Sequence, residues 1–387
     1  MSTRTRSNDL DELKEFARLH AKGQGMKARR LERILARIRT DEPGATDSWA
    51  RVWSAEAQAM AARGKPVQAC QFYTLARFPH HGDADRIAAQ RGVVESFDAW
   101  RGARGRGIEK LEFQTPDGTF CAWAAGLDAP NPLPLLVVMG GIVSVKEQWA
   151  QLLPRFAKLG FATVVAEMPG VGENTLPYGP DSWRLLGLLL DQLKGRAQEH
   201  NVSLLALSFS GHMALRAAAH DERIGRILTV GAPITHFFAS ENWWSRVPHI
   251  TKDTLVALTG QPSEAALVEA FRHGWALTPE ELGAVRVPVR YVVSARDEII
   301  PGGERAFLAE HLADVGFLEF DDVHGSPAHL GELRLWLLLQ LLRTNGIEDK
   351  RTKVLSTILG LRAAKSRRKA APARPGPTPS LPLQESR

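Results

Sequence analysis

Residues 204–219 read Leu-Leu-Ala-Leu-Ser-Phe-Ser-Gly-His-Met-Ala-Leu-Arg-Ala-Ala-Ala. The apolar start predicts a buried strand, the alanine-rich end predicts a helix, and Ser208 lies in the sharp turn between them. This is the setting of a nucleophile elbow, whose usual sequence is G-x-S-x-G because strand and helix approach closely there. Ala206 and Ser210 replace the two glycines and keep both positions small. The alternative is an ordinary strand-to-helix turn in which Ser208 caps the helix.

Two further residues complete the set that a nucleophilic serine needs, and both follow predicted strands. Asp297 comes after the strand 289–293, and His324 comes after the strand 317–320. The order Ser, Asp, His along the chain is the one that accompanies this kind of turn. A carboxylate can hold the imidazole in the tautomer that takes the serine proton, and the imidazole later returns that proton to the leaving group. We therefore predict Ser208, His324 and Asp297 as a catalytic triad.

Other residues compete for these roles. Glu298 adjoins Asp297, and His329 lies close after His324, so each is an alternative member of the triad. His212, on the first turn after the serine, is expected to line the site or to pack, and it receives no catalytic role.

The second requirement is an oxyanion hole, in which two backbone N–H groups aim at one point. The residue after the nucleophile, Phe209, supplies the first. The pair Gly140 and Gly141 follows a predicted strand, and Ile142 is predicted to supply the second N–H. Gly141 is also assigned to substrate binding. The alternative for the glycine pair is a tight turn without a ligand.

From residue 108 onward, strands alternate with helical segments, which is the pattern of a mainly parallel sheet covered by helices. Segments 135–139 and 162–166 are continuously apolar, as strands buried on both faces are. The predicted strands are 108–115, 120–125, 135–139, 162–166, 204–207, 227–230, 289–293 and 317–320. The predicted fold class is α/β, with helices on both faces of the sheet.

Helical segments set the predicted domain boundaries. Residues 1–107 show apolar residues at helical spacing and are assigned to a helical N-terminal lid domain that ends in a Gly- and Arg-rich linker, 100–107. The α/β domain covers 108–345 and carries a helical cap insertion at about 232–285. Residues 346–387 form a basic, Pro- and Ala-rich extension that is predicted to be mostly disordered.

The cap insertion is rich in aromatic residues, among them Phe237, Phe238, Trp243 and Trp244. We assign these four side chains to substrate binding, which suggests a bulky apolar or aromatic small molecule. Packing of the rings in a core is an equally good interpretation.

Charge and composition exclude several functions. The 387 residues include 49 Lys and Arg against 43 Asp and Glu, a net charge of +6. Residues 362–387 hold seven basic side chains and one acidic one, so the rest of the chain is charge-balanced. The folded body is therefore not expected to bind nucleic acid. If residues 362–387 bind nucleic acid or membrane at all, this binding should be weak and salt-sensitive. A chain truncated at Leu361 should lose it and keep its activity.

Further sequence features concern location and cofactors. Cys70 and Cys121 are the only cysteines, too few for a disulfide framework, which favours a reducing cytoplasm. The apolar runs are too short to span a membrane, and the first residues lack the apolar core of a signal peptide, so neither membrane insertion nor secretion is expected. We find no P-loop, dinucleotide motif or metal-ligand cluster, so no cofactor and no metal are expected.

Several motifs resemble the α/β-hydrolase family that includes the fermentation-respiration switch protein-like esterases, dihydroxypseudooxynicotine hydrolase and fungal polyketide-shortening hydrolases. Residues 140–147 read Gly-Gly-Ile-Val-Ser-Val-Lys-Glu, and residues 167–173 read Glu-Met-Pro-Gly-Val-Gly-Glu. The elbow at Ser208 also matches. In the helical block the matching residues are Gly64, Ala69, Tyr73, Ala76 and Pro79. The matching residues span most of 49–345.

The resemblance implies a helical N-terminal domain that roofs the site of an α/β-hydrolase core, often in a homodimer. It also implies Ser208, Asp297 and His324 as the triad. Activities in such families range from carboxylester hydrolysis to cleavage of a carbon–carbon bond beside a ketone. Some members carry an acidic residue where this chain has Val143, which argues against carbon–carbon cleavage that needs a carboxylate there.

Three functional hypotheses follow. The first is a cofactor-independent serine hydrolase that acts on an ester or related acyl carbonyl. The second is a retro-Claisen carbon–carbon hydrolase or polyketide-tailoring enzyme with the same triad. The third is a non-hydrolytic binding or cyclising scaffold, suggested by the two departures from the elbow sequence.

Overall fold

A computed structural model describes residues 8–23, 25–104 and 107–370. The described residues fall into two compact units, divided between Leu330 and Gly331. The first unit holds a helical block, an eight-stranded sheet and a set of short helices inserted between two strands.

The helical block is built from five helices that share one apolar core. Trp49, Trp53 and Phe72 are buried in this core, and the Trp49 indole donates to the carbonyl of Leu75 at 2.7 Å. Their apolar side chains recur at helical spacing, so burial of one face of each helix holds the block together. The helices are α1 (Leu10–Gly23), α2 (Ala28–Leu35), α3 (Trp49–Ala62), α4 (Pro66–Arg77) and α5 (Ala84–Arg104).

The prediction of a linker over 100–107 is wrong for its first half, because α5 continues to Arg104. Trp100 contacts the ring of Phe97 at 5.3 Å, and the Arg101 guanidinium lies 5.5 Å from the Trp123 ring. These contacts explain why a Gly- and Arg-rich stretch stays helical. Residues 105 and 106 lie outside the described residues.

The eight strands form one sheet in the order β1-β2-β4-β3-β5-β6-β7-β8. The two pairings of β2 are antiparallel and all the others are parallel. Every residue of β3 and β4 is buried, as expected for strands covered on both faces. The strands are β1 (Ile108–Thr115), β2 (Gly118–Ala125), β3 (Leu135–Met139), β4 (Ala162–Ala166), β5 (Val202–Leu207), β6 (Ile224–Val230), β7 (Val289–Ser294) and β8 (Val315–Phe320). The predicted fold class is confirmed.

Helices that connect the strands cover the sheet. They are α6 (Lys146–Ala150), α7 (Leu153–Lys158), a 3₁₀ turn (Pro180–Trp183), α8 (Arg184–Gln192), α9 (Phe209–His220) and, between β7 and β8, α15 (Gly303–His311). Parallel strands need such crossovers, and α9 packs against β5 and β6, the strands that flank it in the chain. The carboxyl ends of the parallel strands therefore meet at one edge of the sheet, where functional residues collect in such folds.

The cap consists of five short helices between β6 and β7. They are α10 (His236–Ala239), α11 (Glu241–Trp244), α12 (His249–Thr259), α13 (Glu264–Phe271) and α14 (Pro279–Ala284). Helix α12 meets the helical block, because Glu12 on α1 accepts a hydrogen bond from the backbone N–H of Ile250 at 2.8 Å. The block and the cap are thus in direct contact.

The second unit holds the helix α17 (Lys350–Ala370) and all but the first residue of α16 (Leu330–Thr344). Within it, Arg343 donates to the Ser356 hydroxyl at 2.9 Å. The prediction that 346–387 is mostly disordered is wrong up to Ala370, because Ala, Lys and Arg are good helix formers and no proline interrupts them. The prediction for 371–387 lies outside the described residues.

Candidate active site

The turn between β5 and α9 holds Ser208 in a strained backbone conformation. Its φ is 57° and its ψ is −129°, a region that residues other than glycine rarely adopt. Such strain persists only where the surroundings impose it, and it is concentrated at functional sites. The turn projects Ser208 at the carboxyl edge of the sheet.

Close packing around this turn explains which residues the elbow tolerates. A Cβ on Gly211 would lie 2.1 Å from the Thr229 hydroxyl oxygen, so this position needs glycine. Ser210 is accommodated because its hydroxyl reaches the carbonyls of Met139 and Leu207, each at 3.0 Å. The second departure from G-x-S-x-G therefore adds a bond to β3 without crowding the turn.

The three residues predicted as a triad lie together. The Ser208 Oγ atom lies 3.1 Å from His324 Nε2, and His324 Nδ1 lies 2.9 and 3.0 Å from the two carboxylate oxygens of Asp297. Asp297 Oδ1 also accepts the backbone N–H groups of Ile299 and Ile300 at 2.9 and 2.8 Å. The carboxylate is thus held from two sides, and the imidazole is fixed between it and the serine.

The competing residues occupy other positions. Glu298 does not face the imidazole; its carboxylate accepts the backbone N–H of His324 at 2.9 Å. His329 pairs instead with Asp322, at 3.0 Å. His212 bonds the carbonyl of Trp275 at 2.7 Å, and burial lowers its pKa to about 3, so it packs as a neutral side chain.

The protonation of His324 reflects its two acidic neighbours. Burial lowers the pKa of His324, but the charge and hydrogen bond of Asp297 and the charge of Glu298 outweigh burial and raise that pKa above the ordinary histidine value. The imidazole is therefore a stronger base than a free histidine.

Gly141 lies directly against the serine. A Cβ on Gly141 would come within 2.9 Å of the Ser208 Cβ, which shows how closely the loop after β3 approaches the turn. Ile142 follows in this loop and is buried, and Phe209 begins α9 and is also buried. Of the two residues predicted for the oxyanion hole, Ile142 thus directly follows the glycine that approaches Ser208, and Phe209 directly follows Ser208 itself.

Three of the four aromatic residues assigned to substrate binding are packed into a cluster. Phe237, Phe238 and Trp244 are at most 6% exposed. They stack edge to face with one another and with Phe271. The Phe237 ring also meets the ring of Phe209 at 5.2 Å, so the cluster begins beside the serine.

Trp243, the fourth aromatic residue, holds the cap to the loop after β7, and the cap also contains a cavity. Trp243 donates its indole N–H to the carbonyl of Ile299 at 2.7 Å. A cavity of about 310 Å³ lies among the cluster residues and Glu241 and Arg272, away from the triad.

The helical block places two residues near the candidate site, and neither was predicted from the sequence. His20 on α1 packs on the ring of Phe78 at 5.0 Å. Burial, with the nearby charges of His324 and Arg77, lowers the pKa of His20 to about 4. Arg77, at the end of α4, donates to the carbonyl of Val143 at 2.8 Å. These residues are distant from Ser208 in sequence and belong to ordinary helical patterns, so no local signal points to them.

Comparison with known proteins identifies the family. The model of the esterase FrsA-like family matches residues 44–277. The chain belongs to the FrsA-like esterase family. It is 26% identical to Esterase FrsA of Vibrio vulnificus (strain YJ016) over 291 residues, which cover 65% of this chain and 70% of that esterase. It is also 30% identical to Hydrolyase poxO of Penicillium oxalicum over 116 residues, 27% of each chain.

Two solved structures are similar to the chain. The chain matches AbyA5 with a TM-score of 0.87 and 44% identity, covering 92% of this chain and 99% of that one. It matches 2,6-dihydroxy-pseudo-oxynicotine hydrolase with a TM-score of 0.65 and 19% identity, over 82% of this chain and 94% of that chain, which supports the fold alone. The chain is an α/β-hydrolase-fold hydrolase.

The described residues show neither a metal cluster nor a membrane-spanning helix. Residues 8–23, 25–104 and 107–370 contain no group of three or more His, Cys, Asp or Glu side chains placed to hold a metal ion. In the same residues no helix combines the length and apolar character needed to cross a bilayer.

Proposed function

We propose that this FrsA-like esterase hydrolyses an ester or related acyl carbonyl through Ser208, His324 and Asp297. The observation that carries the proposal is the line of hydrogen bonds from the Ser208 hydroxyl to His324 Nε2 and from Nδ1 to Asp297. A serine is a weak nucleophile unless a base takes its proton, and this line supplies the base and the group that orients it.

The mechanism has two halves. His324 removes the Ser208 proton as the oxygen attacks the acyl carbonyl, and the imidazolium then gives that proton to the leaving group. The Phe209 and Ile142 N–H groups stabilise the negative oxygen of the tetrahedral intermediate. Water, deprotonated by His324, then attacks the acyl-enzyme, and the imidazolium returns that proton to the Ser208 oxygen as the bond to the acyl group breaks and the acid is released. These steps use only groups of the chain and water.

The proposed substrate is a bulky apolar or aromatic small molecule. The aromatic cluster of the cap supports this class, because Phe237 packs against Phe209, the residue after Ser208, so the part of the cap beside the serine is apolar. Val143 supplies no carboxylate beside Ile142, so carbon–carbon cleavage is the less favoured use of this site.

Covalent labelling tests the nucleophile. Wild-type protein should react with a fluorophosphonate at one position, and peptide mass spectrometry should find the label on Ser208. Ser208→Ala should lose both labelling and turnover of an aryl ester. Ser210→Ala is the matched control, because it removes the neighbouring hydroxyl and should keep both. An unlabelled but folded wild-type protein would overturn the proposal and favour the scaffold hypothesis.

Product analysis tests the reaction. The enzyme is given an aryl ester and, separately, an aryl β-diketone of similar size. Acid and alcohol from the ester are the expected products. Turnover of the diketone alone would contradict the proposal and support the carbon–carbon hydrolase.

Two further proposals concern the location and the oligomeric state of the protein. We propose a cytoplasmic homodimer, in keeping with the family resemblance and the two free cysteines. Sedimentation analysis should give twice the mass of the 42.6 kDa chain. A mass of one chain would show that the dimer is absent.

A further inference from the structure

The two motifs that carry the family resemblance meet in a buried cluster of charges. Lys146 is buried, and its ammonium lies 2.9 Å from Glu147, 3.2 Å from Glu167 and 2.6 Å from Glu173. We call these four residues the ionic cluster. Glu147 and Glu167 are also fully buried, and the indole of Trp123 donates to Glu147 at 2.8 Å. None of these groups takes part in the reaction described above.

Glu167 ties the two motifs together through backbone contacts. It accepts the backbone N–H of Lys146 at 3.1 Å and that of Glu173 at 3.0 Å. A Cβ on Gly172 would lie 1.9 Å from the Glu167 carboxylate, so the glycine lets this loop wrap closely round it. The residues Ser-x-Lys-Glu and Met-Pro-Gly-x-Gly-Glu thus enclose one carboxylate.

Arg77 adds a second attachment, this one from the helical block. Its guanidinium donates to the carbonyl of Val143 at 2.8 Å, one residue after Ile142. Arg77 is 1% exposed, and burial lowers its pKa, while the charges of Glu167 and Glu147 oppose that effect. The ionic cluster therefore helps to keep a cation buried beside the loop.

Both attachments follow Ile142, the residue predicted to donate to the oxyanion, and a backbone hydrogen bond of the loop spans that residue. Val143 is held by Arg77, and Lys146 is held by Glu167, while the N–H of Ser144 closes a turn onto the carbonyl of Gly141 at 3.0 Å. An oxyanion donor is effective only when its N–H lies about 2.7–3.1 Å from the developing charge. A loop fixed at so many points keeps such a donor in place.

Stability alone does not account for so many buried charges. Burying charged groups costs solvation, and a buried ion pair is often no more stabilising than apolar residues of the same volume. The cluster lies where a loop must keep one conformation, which is a better explanation for retaining it.

We propose that Arg77 and the ionic cluster are positioning residues for the oxyanion loop, residues 140–145. Arg77 thereby makes the helical block part of the catalytic machinery. This inference rests on the proposed function, because it assumes that the Ile142 N–H stabilises an oxyanion.

The test compares Arg77→Met with Arg77→Lys, using the full chain and an aryl ester. Removing an oxyanion donor lowers kcat by roughly 10²–10³-fold, so a loosened donor in Arg77→Met should cost about 10- to 100-fold. KM should stay within about twofold, because substrate binding does not use the oxyanion. Arg77→Lys keeps a donor and should recover part of kcat. Affinity for an aryl trifluoromethyl ketone, which forms a tetrahedral adduct, should fall in proportion to kcat/KM.

The matched control is Asp41→Asn, which breaks another buried pair, since Asp41 lies 2.5 Å from Arg86. It should lower the melting temperature but leave kcat unchanged. If Arg77→Met does not fold, Glu167→Gln, which keeps the shape of the side chain, provides the same comparison. Unchanged kcat in these variants, or an equal loss of kcat in Asp41→Asn, would overturn the inference. The proposed function fails separately, by the labelling and product tests given above or if Ser208→Ala remains active.

Discussion

Glu298 accepts a hydrogen bond from the backbone N–H of His324 at 2.9 Å, although its neighbour Asp297 is the carboxylate that meets the imidazole. The two adjacent acids therefore both hold His324, each through a different group. Asp297 fixes the ring, and Glu298 fixes the backbone and adds a negative charge that helps to raise the pKa of His324.

Glu298→Gln is expected to keep most activity and to shift its pH dependence. The amide still accepts the backbone N–H, but the charge is gone, so the pKa of His324 should fall. The acidic limb of kcat/KM should then move to lower pH, because an imidazole with a lower pKa stays neutral at lower pH. An acidic limb that moves to higher pH would contradict the sign of this effect.

The pH dependence of wild-type activity and the variant Asp297→Asn also test His324 as the base. Protonated His324 cannot take the serine proton, so activity should be lost as pH falls through a pKa raised above the ordinary value of 6.5. Asp297→Asn removes the carboxylate that selects the tautomer and should lower kcat by about 10⁴-fold. Stopped assays across pH 5–9 measure both quantities. A loss below about tenfold would remove Asp297 from the triad.

Packing at the elbow predicts the effect of a single methyl group. Gly211→Ala would place Cβ 2.1 Å from the Thr229 hydroxyl and 2.7 Å from the Ala232 Cβ, and all three residues are buried. Overpacking of this kind costs about 1–3 kcal/mol in the free energy of unfolding. Urea denaturation should show this loss. Gly102→Ala, in an open helical position, should instead gain about 0.5–1 kcal/mol.

Features with a local signal were predictable from the sequence. The apolar runs that became β3 and β4 are buried on both faces, so their composition reveals both strand and layer. The turn at Ser208 was predictable because a strand, a turn of small residues and a helix follow one another without a gap. Its convergence with Asp297 and His324 was predictable because each of these residues follows a strand of a parallel sheet, and such ends meet at one edge.

Features that depend on tertiary contacts were not predictable. Arg77 reaches Val143, 66 residues further along the chain, and nothing in the pattern of α4 marks it. The extension of α5 past Trp100 depends on a ring on another residue, and the aromatic residues of the cap read equally well as core or as substrate contacts. Helix α17 was predicted as disorder because a sequence rich in Lys and Arg suits a disordered tail as well as a helix.

Glu304 should control the order of the first turn of the cap. It is buried, and its carboxylate accepts the backbone N–H groups of Ile234, Thr235 and Phe237 at 2.9–3.1 Å. Glu304→Ala leaves these donors unpaired, which should cost about 1–3 kcal/mol. Hydrogen exchange of the amides of residues 234–237 should accelerate more than that of β3. Glu304→Gln keeps one acceptor oxygen, so its exchange rates should lie between those of the wild type and Glu304→Ala. Unchanged exchange in Glu304→Ala would contradict this role.

Gly141→Ala separates the geometry of the site from the stability of the fold. The new Cβ would lie 2.9 Å from the Ser208 Cβ and 3.3 Å from its hydroxyl oxygen, closer than unstrained contacts allow. The attachments at Val143 and Lys146 keep the rest of the loop in place, so the contact is relieved by a local displacement of Gly141 and Ile142 at little cost in stability. The same shift moves the Ile142 N–H and Ser208 relative to each other, and displacements of about 1 Å cost up to 10²-fold in rate. We therefore expect kcat to fall by about 10- to 100-fold while the urea midpoint changes little. Gly283→Ala, in helix α14 where an added Cβ meets nothing within 4 Å, is the matched control and should leave kcat unchanged while the urea midpoint rises slightly. Full activity in Gly141→Ala would show that the loop after β3 does not need its present distance from Ser208.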